Sequence, residues 1–479
     1  MTPAFNPSAM KYFQGKRVLV LNWRDIEHSQ AGGAEQYMHQ ISKRWVDAGI
    51  DVTWYTSRDS HQDPADTIDG VHIVRGGGAL TLYPQAALGL LRTRPQIDAV
   101  VDCQNGIPFF SPLFVTRKTP VVQVVHHVHQ KQFRTHFSPP VAALGRYLEG
   151  NAARRIYGPR AIAAVSPSTR MELRNLGYQG PIHIVPNGTG TVPNVVGPRD
   201  PDPTITIVSR LVAHKRIDIL IGQIAAAATQ YPNLRAEIVG DGPERARLEQ
   251  IVMDLGMYSN FTFHGYQPDA VRDALLNRAW LTLSASDAEG WGCSIIEAAA
   301  WGVPCIALRA PGIRDSVMDG QTGWLVDSVK ELGAALIERL GELSDPGTRS
   351  ALSQACQQWA RCFNWDRSAA LLAGVLMEES LETPRLGARS RREVHRDMST
   401  VAQFDLPQGL DLSALLTGTD EFAEIEGTTV ALLKGRDEFE ASVTLKHLGV
   451  EDAVLWPATR SDLLAGPERA LSVEGLWRR

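Results

Sequence analysis

Strand, glycine turn and helix follow one another repeatedly along this chain of 479 residues, and this alternation constrains the fold more than any other feature. Residues 17–22 form an apolar run, which is followed by a glycine turn through Gly33 and by a helical pattern that ends near Gly49. Such alternation predicts a parallel sheet covered by helices. Further strands are predicted at residues 52–55, 98–102, 121–125 and 161–165.

A proline-rich segment interrupts this pattern, which then restarts. Residues 189–203 contain four prolines and indicate a linker. Strands are again predicted at residues 204–209, 235–240, 260–263, 281–284 and 304–308. The sequence therefore predicts an α/β protein with two doubly wound, Rossmann-like domains, at residues 1–188 and 204–364.

Two carboxylates, Glu289 and Glu297, stand eight positions apart just after the predicted strand at 281–284. Between them lies a glycine-flanked tryptophan, Gly290-Trp291-Gly292. Loops that follow the strands of open α/β sheets bind ligands, and the N–H groups that open a helix attract anions. The segment therefore predicts a site for a sugar attached to a phosphate. Ser294 and Glu297 also fit a capping box, which needs no ligand, and this alternative stays open.

The whole segment resembles the donor-site signature of retaining glycosyltransferases, in which seven residues separate two glutamates, and especially that of glycosyltransferase family 4. This resemblance implies the GT-B fold, with two Rossmann-like domains that face a cleft and a helix at 365–381 that returns to the first domain. It implies that the first domain binds the acceptor and the second binds a nucleotide-diphosphate sugar. Trp291 replaces the commoner Phe, and Asp315 replaces a Glu, so the identity of the sugar stays open.

Two further elements carry the resemblance into both predicted domains. Gly33 resembles the glycine loop that brings donor phosphate and acceptor close to the first domain, although a plain helix-entry turn is the alternative. Ser209-Arg210-Leu211 followed by Lys215 resembles the family's Gly-Arg-Leu…Lys element. Arg210 and Lys215 would then place two cations against the diphosphate. The alternative is a pair of solvated surface cations.

Other residues are assigned to the site by the same resemblance. Gly240 and His264 would lie beside the nucleotide, together with Gly290, Trp291, Gly292 and Glu297. A family histidine lies beside the reacting sugar, and His126 matches it. His127 is the fallback, because a shift of one residue along a strand points the side chain to the opposite face. The resemblance thus implies catalytic roles for His126, Glu289, Arg210 and Lys215.

The resemblance implies a metal-independent reaction without a cofactor. No Asp-x-Asp motif occurs in a suitable place: Asp200-Pro201-Asp202 matches formally but lies in the predicted linker and is assigned to solvent, so cationic side chains would replace a metal. The implied reaction moves a hexose, with retention, from GDP-mannose or a UDP-sugar to a hydroxyl. The acceptor would be a cell-envelope glycan, a lipid-linked glycan or a small molecule. The alternatives are a non-catalytic partner subunit and another GT-B enzyme, such as a nucleotide-sugar epimerase.

Charge and hydropathy predict the surroundings in which the protein works. No apolar run reaches the ~18 residues that span a bilayer, and residues 1–15 lack a signal-peptide core, so we expect a cytoplasmic protein. Residues 117–174 contain ten Lys and Arg against two acids, interleaved with aromatic residues. This segment predicts peripheral contact with an anionic membrane surface at the inner face of the plasma membrane; a solvated face is the alternative. We expect no nucleic-acid partner.

The resemblance ends near Leu381. Residues 382–397 form a predicted basic connector with five arginines: Arg385, Arg389, Arg391, Arg392 and Arg396. Residues 398–479 carry fourteen acids and seven bases around short apolar runs, which predicts a small acidic α+β appendage. We expect an independent docking module, with folding back over the basic segment as the alternative. A chain that ends at Leu381 is expected to keep its donor chemistry.

Overall fold

The computed structural model describes residues 8–78, 81–93, 96–287, 289–383, 397–407, 409–410, 412, 418–425 and 427–467. The chain divides into two compact units, one made of Met1–Gly188 with Asn364–Arg479 and the other of Thr189–Phe363. The five arginines of the predicted connector lie outside the described residues. Within the described part of the chain, no helix is both long and apolar enough to cross a membrane.

The first unit is built on an eight-stranded sheet. Its strands are β1 Arg17–Leu21, β2 Asp51–Thr56, β3 Ala65–Ile68, β4 Val71–Arg75, β5 Ala99–Gln104, β6 Val121–Val125, β7 Ile162–Ala164 and β8 Ile182–Ile184. The order is β3-β4-β2-β1-β5-β6-β7-β8, and all neighbours are parallel except β3 and β4. Every residue of β5 and β6 is buried, as expected when helices cover both faces of a parallel sheet. The predicted parallel sheet is confirmed.

Seven α-helices accompany these strands in the described part of residues 1–188, besides a 3-10 helix at Ser111–Leu113 and a π-helix at Leu148–Ala152. They are α1 Ser8–Tyr12, α2 Gly33–Asp47, α3 Leu82–Thr93, α4 Gln130–His136, α5 Pro139–Tyr147, α6 Ala153–Tyr157 and α7 Pro167–Asn175. The sheet order reverses between β1 and β5, so the loops that follow these two strands flank a topological switch point. Ligands of open α/β sheets bind at such points.

The second unit repeats this architecture with six strands. They are β9 Thr204–Val208, β10 Arg235–Val239, β11 Phe261–Gly265, β12 Thr282–Ser284, β13 Cys305–Leu308 and β14 Gly323–Val326. A parallel bridge between Ile205 and Leu281 joins two three-stranded ladders, so the order is β11-β10-β9-β12-β13-β14. Counted within the unit, this is 3-2-1-4-5-6, the order of dinucleotide-binding domains. Its switch point lies between β9 and β12.

The helices of the second unit cover that sheet. They are α8 Ile217–Ala228, α9 Arg245–Asp254, α10 Asp269–Arg278, α11 Cys293–Ala300, α12 Ile313–Ser316, α13 Val329–Glu342 and α14 Pro346–Arg361. Buried aliphatic residues of α8 and α13 pack with β9 and β10 in the largest core cluster of this unit. A site can therefore form in the polar loops that follow the strands.

Helix α15, Trp365–Glu382, lies in the first unit and connects it to the C-terminal segment. The indole Nε1 of Trp45 on α2 donates to the carbonyl of Ala369 at 3.0 Å. On α15, Glu379 accepts a hydrogen bond from the backbone N–H of Ala161 at 2.9 Å. These contacts place α15 against the face of the sheet that carries α2.

The C-terminal segment is a four-stranded antiparallel sheet that packs against α15. Its elements are β15 Ser399–Phe404, β16 Glu421–Ile425, β17 Thr428–Lys434, α16 Glu438–His447, β18 Val454–Pro457 and α17 Arg460–Ala465, with strand order β16-β17-β15-β18. Fully buried Glu421 pairs with Arg367 of α15 at 2.5 Å and with Lys434 at 2.7 Å. The predicted α+β appendage is therefore present. The expectation that it is an independent module is wrong, because a buried ion-pair network ties it to α15.

A second, partly buried carboxyl at this junction makes the stability of the first unit depend on pH. Glu378 of α15 accepts hydrogen bonds from the backbone N–H and the hydroxyl of Thr419, at 2.9 and 2.6 Å. Burial raises the pKa of Glu378 to about 7, assisted by the charge of Asp420 and opposed by the Thr419 hydrogen bonds and Lys434; His183 lies 3.7 Å away. Between an unfolded pKa near 4.5 and this value, the folded state holds a proton that the unfolded state lacks.

Stability should therefore fall as the pH rises from about 5 to 8, by an amount on the order of 1–3 kcal/mol. The Glu378→Gln variant removes this proton equilibrium and should flatten the dependence of the thermal midpoint on pH. Glu382→Gln, near the end of the same helix, is the matched control. An unchanged slope in Glu378→Gln would contradict the assignment.

Candidate functional site

The candidate site lies at the switch point of the second unit, where the loops after β9 and β12 meet. Lys215 follows β9 and Glu289 follows β12, and the Lys215 ammonium forms an ion pair with Oε1 of Glu289. Both side chains are about one sixth exposed, at 18% and 17%. The structure thus brings together two residues that lie far apart in sequence, at the position where such sheets bind ligands.

The backbone of Glu289 is held by the loop that follows β13. Its N–H donates to the carbonyl of Pro311 at 3.1 Å. Gly312 has φ +76°, and a Cβ at this position would collide with the carbonyl of Glu289. Glycine is therefore required at position 312 by the close approach of the two loops. Sequence reasoning missed this role, although it singled out the surrounding segment.

The helix that carries Glu297 begins at Cys293, with Gly292 as its N-cap. Ser294 lies inside the first turn, so the capping-box alternative for Ser294 and Glu297 is wrong. The N–H of Gly292 donates to the hydroxyl of Ser316 at 2.9 Å, and a Cβ on Gly292 would crowd the same hydroxyl. The backbone at Gly292 is therefore approached by Ser316 of α12. Gly290, one residue after Glu289, is partly exposed.

Trp291 does not present its side chain to the site. Its indole is 6% exposed and its ring centroid lies 5.0 Å from that of Phe363. The indole therefore has an observed packing role in the second unit, and the assignment of Trp291 to donor binding stays a prediction. The partner Phe363 lies 72 positions later in the chain, beyond the reach of a local motif.

Glu297 projects from the second turn of α11 towards α10. Its Oε2 lies 3.9 Å from Nη1 of Arg272, which also pairs with Asp269 and Asp273. Burial raises the pKa of Glu297, while the charge of Arg272 lowers it. Arg272 was not anticipated from the sequence. Its guanidinium therefore attracts the Glu297 carboxylate without a hydrogen bond between the two.

Arg210 and His214 complete the loop after β9. Arg210 is exposed, and among the described residues no carboxylate lies within 4.0 Å of it. The carbonyl of His214 accepts the N–H of Asp287, which joins the two loops of the switch point at 3.0 Å. Burial and the charge of Lys215 lower the pKa of the His214 imidazole. The loop therefore offers one unpaired guanidinium beside the Lys215–Glu289 pair.

Gly240 and His264 are engaged by the protein itself. Gly240 has φ +131°, and a Cβ there would collide with the carbonyl of Ser209. This glycine is required by the packing of two loops, and its place beside a nucleotide stays a prediction. His264 Nε2 lies 2.6 Å from Oε2 of Glu237. The neighbouring Tyr266, at 83% exposure, is the accessible aromatic side chain at this edge of the sheet.

In the first unit, Gly33 opens helix α2 and is exposed. The turn before it is closed by Glu35, whose Oε2 accepts the N–H of Gly32 at 2.8 Å. Burial raises the pKa of Glu35, although the backbone hydrogen bond lowers it. This geometry matches the helix-entry alternative, so Gly33 has an observed structural role and its role beside a donor phosphate remains a prediction.

His126 and His127 follow β6, and their surroundings differ. The ring of His126 packs edge-on against Tyr37 at 4.8 Å, and its Nε2 is buried without a hydrogen-bond partner among the described residues. Burial and the charge of His129 lower the pKa of His126 to about 4, so its imidazole is neutral at pH 7. Nε2 of His127 lies 2.6 Å from Nε2 of Gln132. The contacts favour His126, rather than His127, as the histidine available to a ligand.

Sequence reasoning missed two asparagines at the switch point of the first unit. Asn22 directly follows β1 and Asn105 directly follows β5, and the Asn105 amide donates to Oδ1 of Asn22 at 2.7 Å. Nδ2 of Asn22 is buried and has no partner among the described residues. Polar residues at the ends of adjacent parallel strands were the signal that could have identified them.

The sequence matches two family models that together span residues 31–359. Residues 31–191 match the family described as Glycosyltransferase Family 4, and residues 191–359 match the one described as Glycosyl transferases group 1. The GDP-mannose-dependent alpha-(1-6)-phosphatidylinositol monomannoside mannosyltransferase of Mycolicibacterium smegmatis is 32% identical over 183 residues. That alignment covers 36% of this chain and 47% of the relative, so the chain spans about half the length of this curated protein.

Solved structures share the fold over a larger part of the chain. Sucrose-phosphate synthase from Thermosynechococcus elongatus superposes with a TM-score of 0.62 and 19% identity, covering 78% of this chain and all of that one. The Anabaena protein HepE, solved with UDP and glucose, gives a TM-score of 0.57 and 19% identity, covering 76% and 100%. At such identities the likeness shows the fold, two Rossmann-like domains of the GT-B type.

Proposed function

Because the chain belongs to glycosyltransferase family 4, we propose that it is a retaining hexosyltransferase that uses a nucleotide-diphosphate sugar. The donor is GDP-mannose or a UDP-sugar, and the acceptor is a hydroxyl of a cell-envelope glycan, a lipid-linked glycan or a small molecule. GDP-mannose and a mannosylated lipid appear in the name of the mycobacterial relative, and UDP and glucose in that of the Anabaena structure.

The Lys215–Glu289 ion pair at the switch point is the observation that carries this proposal. A diphosphate arriving beside Lys215 and Arg210 would find one exposed guanidinium and one ammonium, which suit its charge. The ammonium would exchange Glu289 for the phosphate, and the released carboxylate would accept hydrogen bonds from sugar hydroxyls. Glu297, whose Oε2 lies 3.9 Å from Nη1 of Arg272, would accept hydrogen bonds from the ribose hydroxyls.

In the proposed reaction the acceptor oxygen attacks the anomeric carbon as the bond from that carbon to the diphosphate oxygen breaks. The acceptor oxygen attacks from the same face that the diphosphate leaves, so the configuration is retained. The acceptor proton passes to a leaving phosphate oxygen on that face. Lys215 and Arg210 stabilise the charge that develops on the diphosphate. Since these cations supply the charge compensation, we propose a reaction that needs neither a metal nor a cofactor.

Hydrolysis of nucleotide sugars tests the proposal directly. The protein is incubated with GDP-mannose, UDP-glucose, UDP-galactose and UDP-N-acetylglucosamine in the presence of EDTA, and release of the nucleoside diphosphate is followed. We expect slow hydrolysis of one donor class and full activity in EDTA. No hydrolysis of any donor would favour the non-catalytic partner subunit, and conversion of one nucleotide sugar into its epimer would favour a nucleotide-sugar epimerase. Rescue by magnesium after inhibition by EDTA would contradict metal independence.

His126 provides a test within the first unit. We expect His126→Ala to lower kcat roughly 10- to 100-fold, because a buried hydrogen-bonding atom next to the sugar is removed. His127→Ala, with its ring tied to Gln132, is the matched control and should stay within about twofold. Since the pKa of His126 lies at about 4, its ionisation should leave no step in the pH profile between pH 6 and 9. A His126-dependent step in that range would be the contrary result.

An exposed apolar face on α5 suggests where the acceptor comes from. Val141, Leu144 and Tyr147 recur at helical spacing and are about half exposed, with Leu144 at 57%, and Phe137 precedes them. Exposed Arg155 lies beside them, with its Nη1 3.5 Å from the Tyr147 hydroxyl. An apolar face with flanking cations suits an anionic membrane surface, at about 1 kcal/mol per nearby cation. We therefore propose peripheral membrane contact and a lipid-linked acceptor.

Sedimentation with phospholipid vesicles tests this contact. The protein should bind vesicles that contain anionic lipid and not neutral vesicles, and binding should weaken at higher salt. Leu144→Glu should reduce binding at least fivefold. Leu88→Glu, at an equally exposed leucine on α3, is the control and should have little effect. Equal, negligible binding to both vesicle types would leave a water-soluble acceptor.

A further inference from the structure

Three polar side chains form a row at the carboxyl edge of the first sheet. Asn22 follows β1, Asn105 follows β5 and His126 follows β6, and these three strands are neighbours in the order β1-β5-β6. Strands β5 and β6 are in register up to their last residues, so Asn105 and His126 are the next residues on neighbouring strands. Residues at the same level of adjacent strands lie about 5 Å apart. The row therefore crosses the switch point of the first unit.

Two atoms of this row are buried and have no hydrogen-bond partner among the described residues, namely Nδ2 of Asn22 and Nε2 of His126. Asn22 is completely buried. Its Oδ1 accepts hydrogen bonds from the Asn105 amide at 2.7 Å and from the Trp23 backbone N–H at 3.0 Å, and these two donors fix the orientation of the Asn22 amide. A buried polar atom that lacks a partner costs free energy, which a hydrogen bond to a bound molecule offsets. The row therefore offers two polar atoms to such a molecule.

Buried carboxylates hold the three loops that carry the row. Asp25, in the loop after β1, pairs with Arg75 at 2.7 Å. Asp102 accepts hydrogen bonds from two backbone N–H groups of the loop after β5, at 3.1 and 3.2 Å. Glu149 accepts a backbone N–H of the loop after β6 at 2.6 Å. All three carboxylates are completely buried, so the backbone of each loop is fixed, as a preorganised binding site requires.

The groups of the row are uncharged. Two of them are amides, and burial with the charge of His129 lowers the pKa of His126 to about 4, so this imidazole is neutral at pH 7. Neutral amide and imidazole groups suit hydroxyls, which both donate and accept hydrogen bonds. Phosphates and carboxylates are instead bound best by charge-assisted hydrogen bonds. The chemistry of the row therefore favours an uncharged ligand that carries several hydroxyls.

We propose that Asn22, Asn105 and His126 bind the hydroxyl groups of an uncharged sugar ring. Nδ2 of Asn22 donates to one hydroxyl oxygen, Nε2 of His126 contacts a second hydroxyl, and Asn105 positions the Asn22 amide. The two asparagines are thus specificity-determining residues. This inference deepens the proposed function and rests on it, since the ring belongs either to the hexose of the donor or to the acceptor.

Sugar binding is measured without any nucleotide, so that it can be separated from the transfer reaction. Saturation-transfer difference NMR follows methyl α-mannopyranoside and methyl α-glucopyranoside with the full-length chain. Asn22→Ala and Asn105→Ala should each lower the transferred saturation at least about fivefold. Asn175→Ala, at an exposed asparagine of the same unit, is the matched control. Thermal midpoints verify folding, and Asn105→Ala decides the test if Asn22→Ala does not fold, because Asn105 is only partly buried.

Donor hydrolysis then identifies the origin of the ring. If it is the donor hexose, Asn105→Ala should raise the KM for the nucleotide sugar about tenfold and leave inhibition by the free nucleoside diphosphate unchanged. If it belongs to the acceptor, the concentration of methyl mannopyranoside that half-saturates its stimulation of nucleoside diphosphate release should rise instead.

The two measurements fail in different ways. Glycoside binding that is lost in both asparagine variants, in a chain that hydrolyses no donor, would keep the sugar site and reject the transfer reaction. Unchanged glycoside binding and unchanged donor kinetics in both variants would overturn the sugar site and leave the asparagines a structural role. Absence of glycoside binding by the wild-type chain, without an effect of either variant on donor kinetics, would overturn it as well.

Discussion

Replacing Lys215 with Ala should lower kcat/KM for glycosyl transfer by roughly two to three orders of magnitude, or about 3–4 kcal/mol of transition-state stabilisation. The physical reason is that the ammonium lies at the switch point, shielded from solvent on most sides, where a preorganised charge stabilises a departing diphosphate. The measurement is the initial rate of donor hydrolysis at several donor concentrations. Lys330→Ala, at an exposed lysine of the same unit, is the matched control.

A double variant of Lys215 and Glu289 tests the role of the ion pair more directly than the single variant does. If Lys215 exchanges Glu289 for the diphosphate, the two side chains act as one device and their substitutions should not add. Lys215→Ala combined with Glu289→Gln should therefore cost much less than the sum of the two single losses. Additive losses would mean that the two residues act independently, and turnover of Lys215→Ala equal to that of the wild type would remove the donor site from this loop.

The sequence predicted the two sheets well because their strands are locally apolar and are followed by glycine turns. The strands predicted at 17–22, 121–125 and 235–240 differ from the observed ones by at most one residue at an end. The hairpin of β3 and β4 was missed, since β3 is largely exposed and lacks an apolar run. Its turn, Asp69-Gly70 with both φ angles positive, was a usable signal.

The candidate site was predicted where it depends on local order and missed where it depends on distant contacts. Glu289 and Lys215 follow strand ends, so the topology alone brings them close. The burial of Trp291 was not predicted because it depends on Phe363, and the glycine at 240 is required by Ser209, which lies 31 positions earlier. Arg272 beside Glu297 likewise requires knowledge of which helices pack together.

The C-terminal appendage was the main error of sequence reasoning, and its cause is a buried charge network. Surface ion pairs seldom hold domains together, which favoured an independent module. Glu421 is instead fully buried, with Arg367 and Lys434 almost so, and Arg367 also donates to the carbonyl of Leu464 at 2.5 Å. Such a network strongly penalises removal of one partner, because the remaining charges stay buried.

Glu421→Gln should consequently destabilise the first unit by about 3–5 kcal/mol, since Arg367 and Lys434 lose their buried counter-charge. Glu424→Gln, on the same strand but exposed, is the matched control and should change the thermal midpoint little. Burial alone would raise the pKa of Glu421, but the charges of Arg367 and Lys434 lower it to about 2. This contribution is therefore present at neutral pH and lost as the pH falls from about 4.5 towards 2.

Truncation after Thr383 removes Glu421 and Lys434 together, and we expect the remaining chain to aggregate or unfold at 37 °C. This result would be contrary to the sequence-based expectation for a chain ending at Leu381. Arg367 and the apolar residues of α15 that face the appendage would then meet water or remain unpaired. Solubility, thermal midpoint and donor hydrolysis of the truncated chain are the measurements. A soluble truncated chain with the stability and hydrolysis rate of the full chain would show that the appendage only rests on α15. A further outcome is that stability is lost in the truncated chain and in Glu421→Gln but kept in Glu424→Gln. This result would locate the coupling in the buried Arg367–Glu421 pair, because this pair is removed in both destabilised proteins.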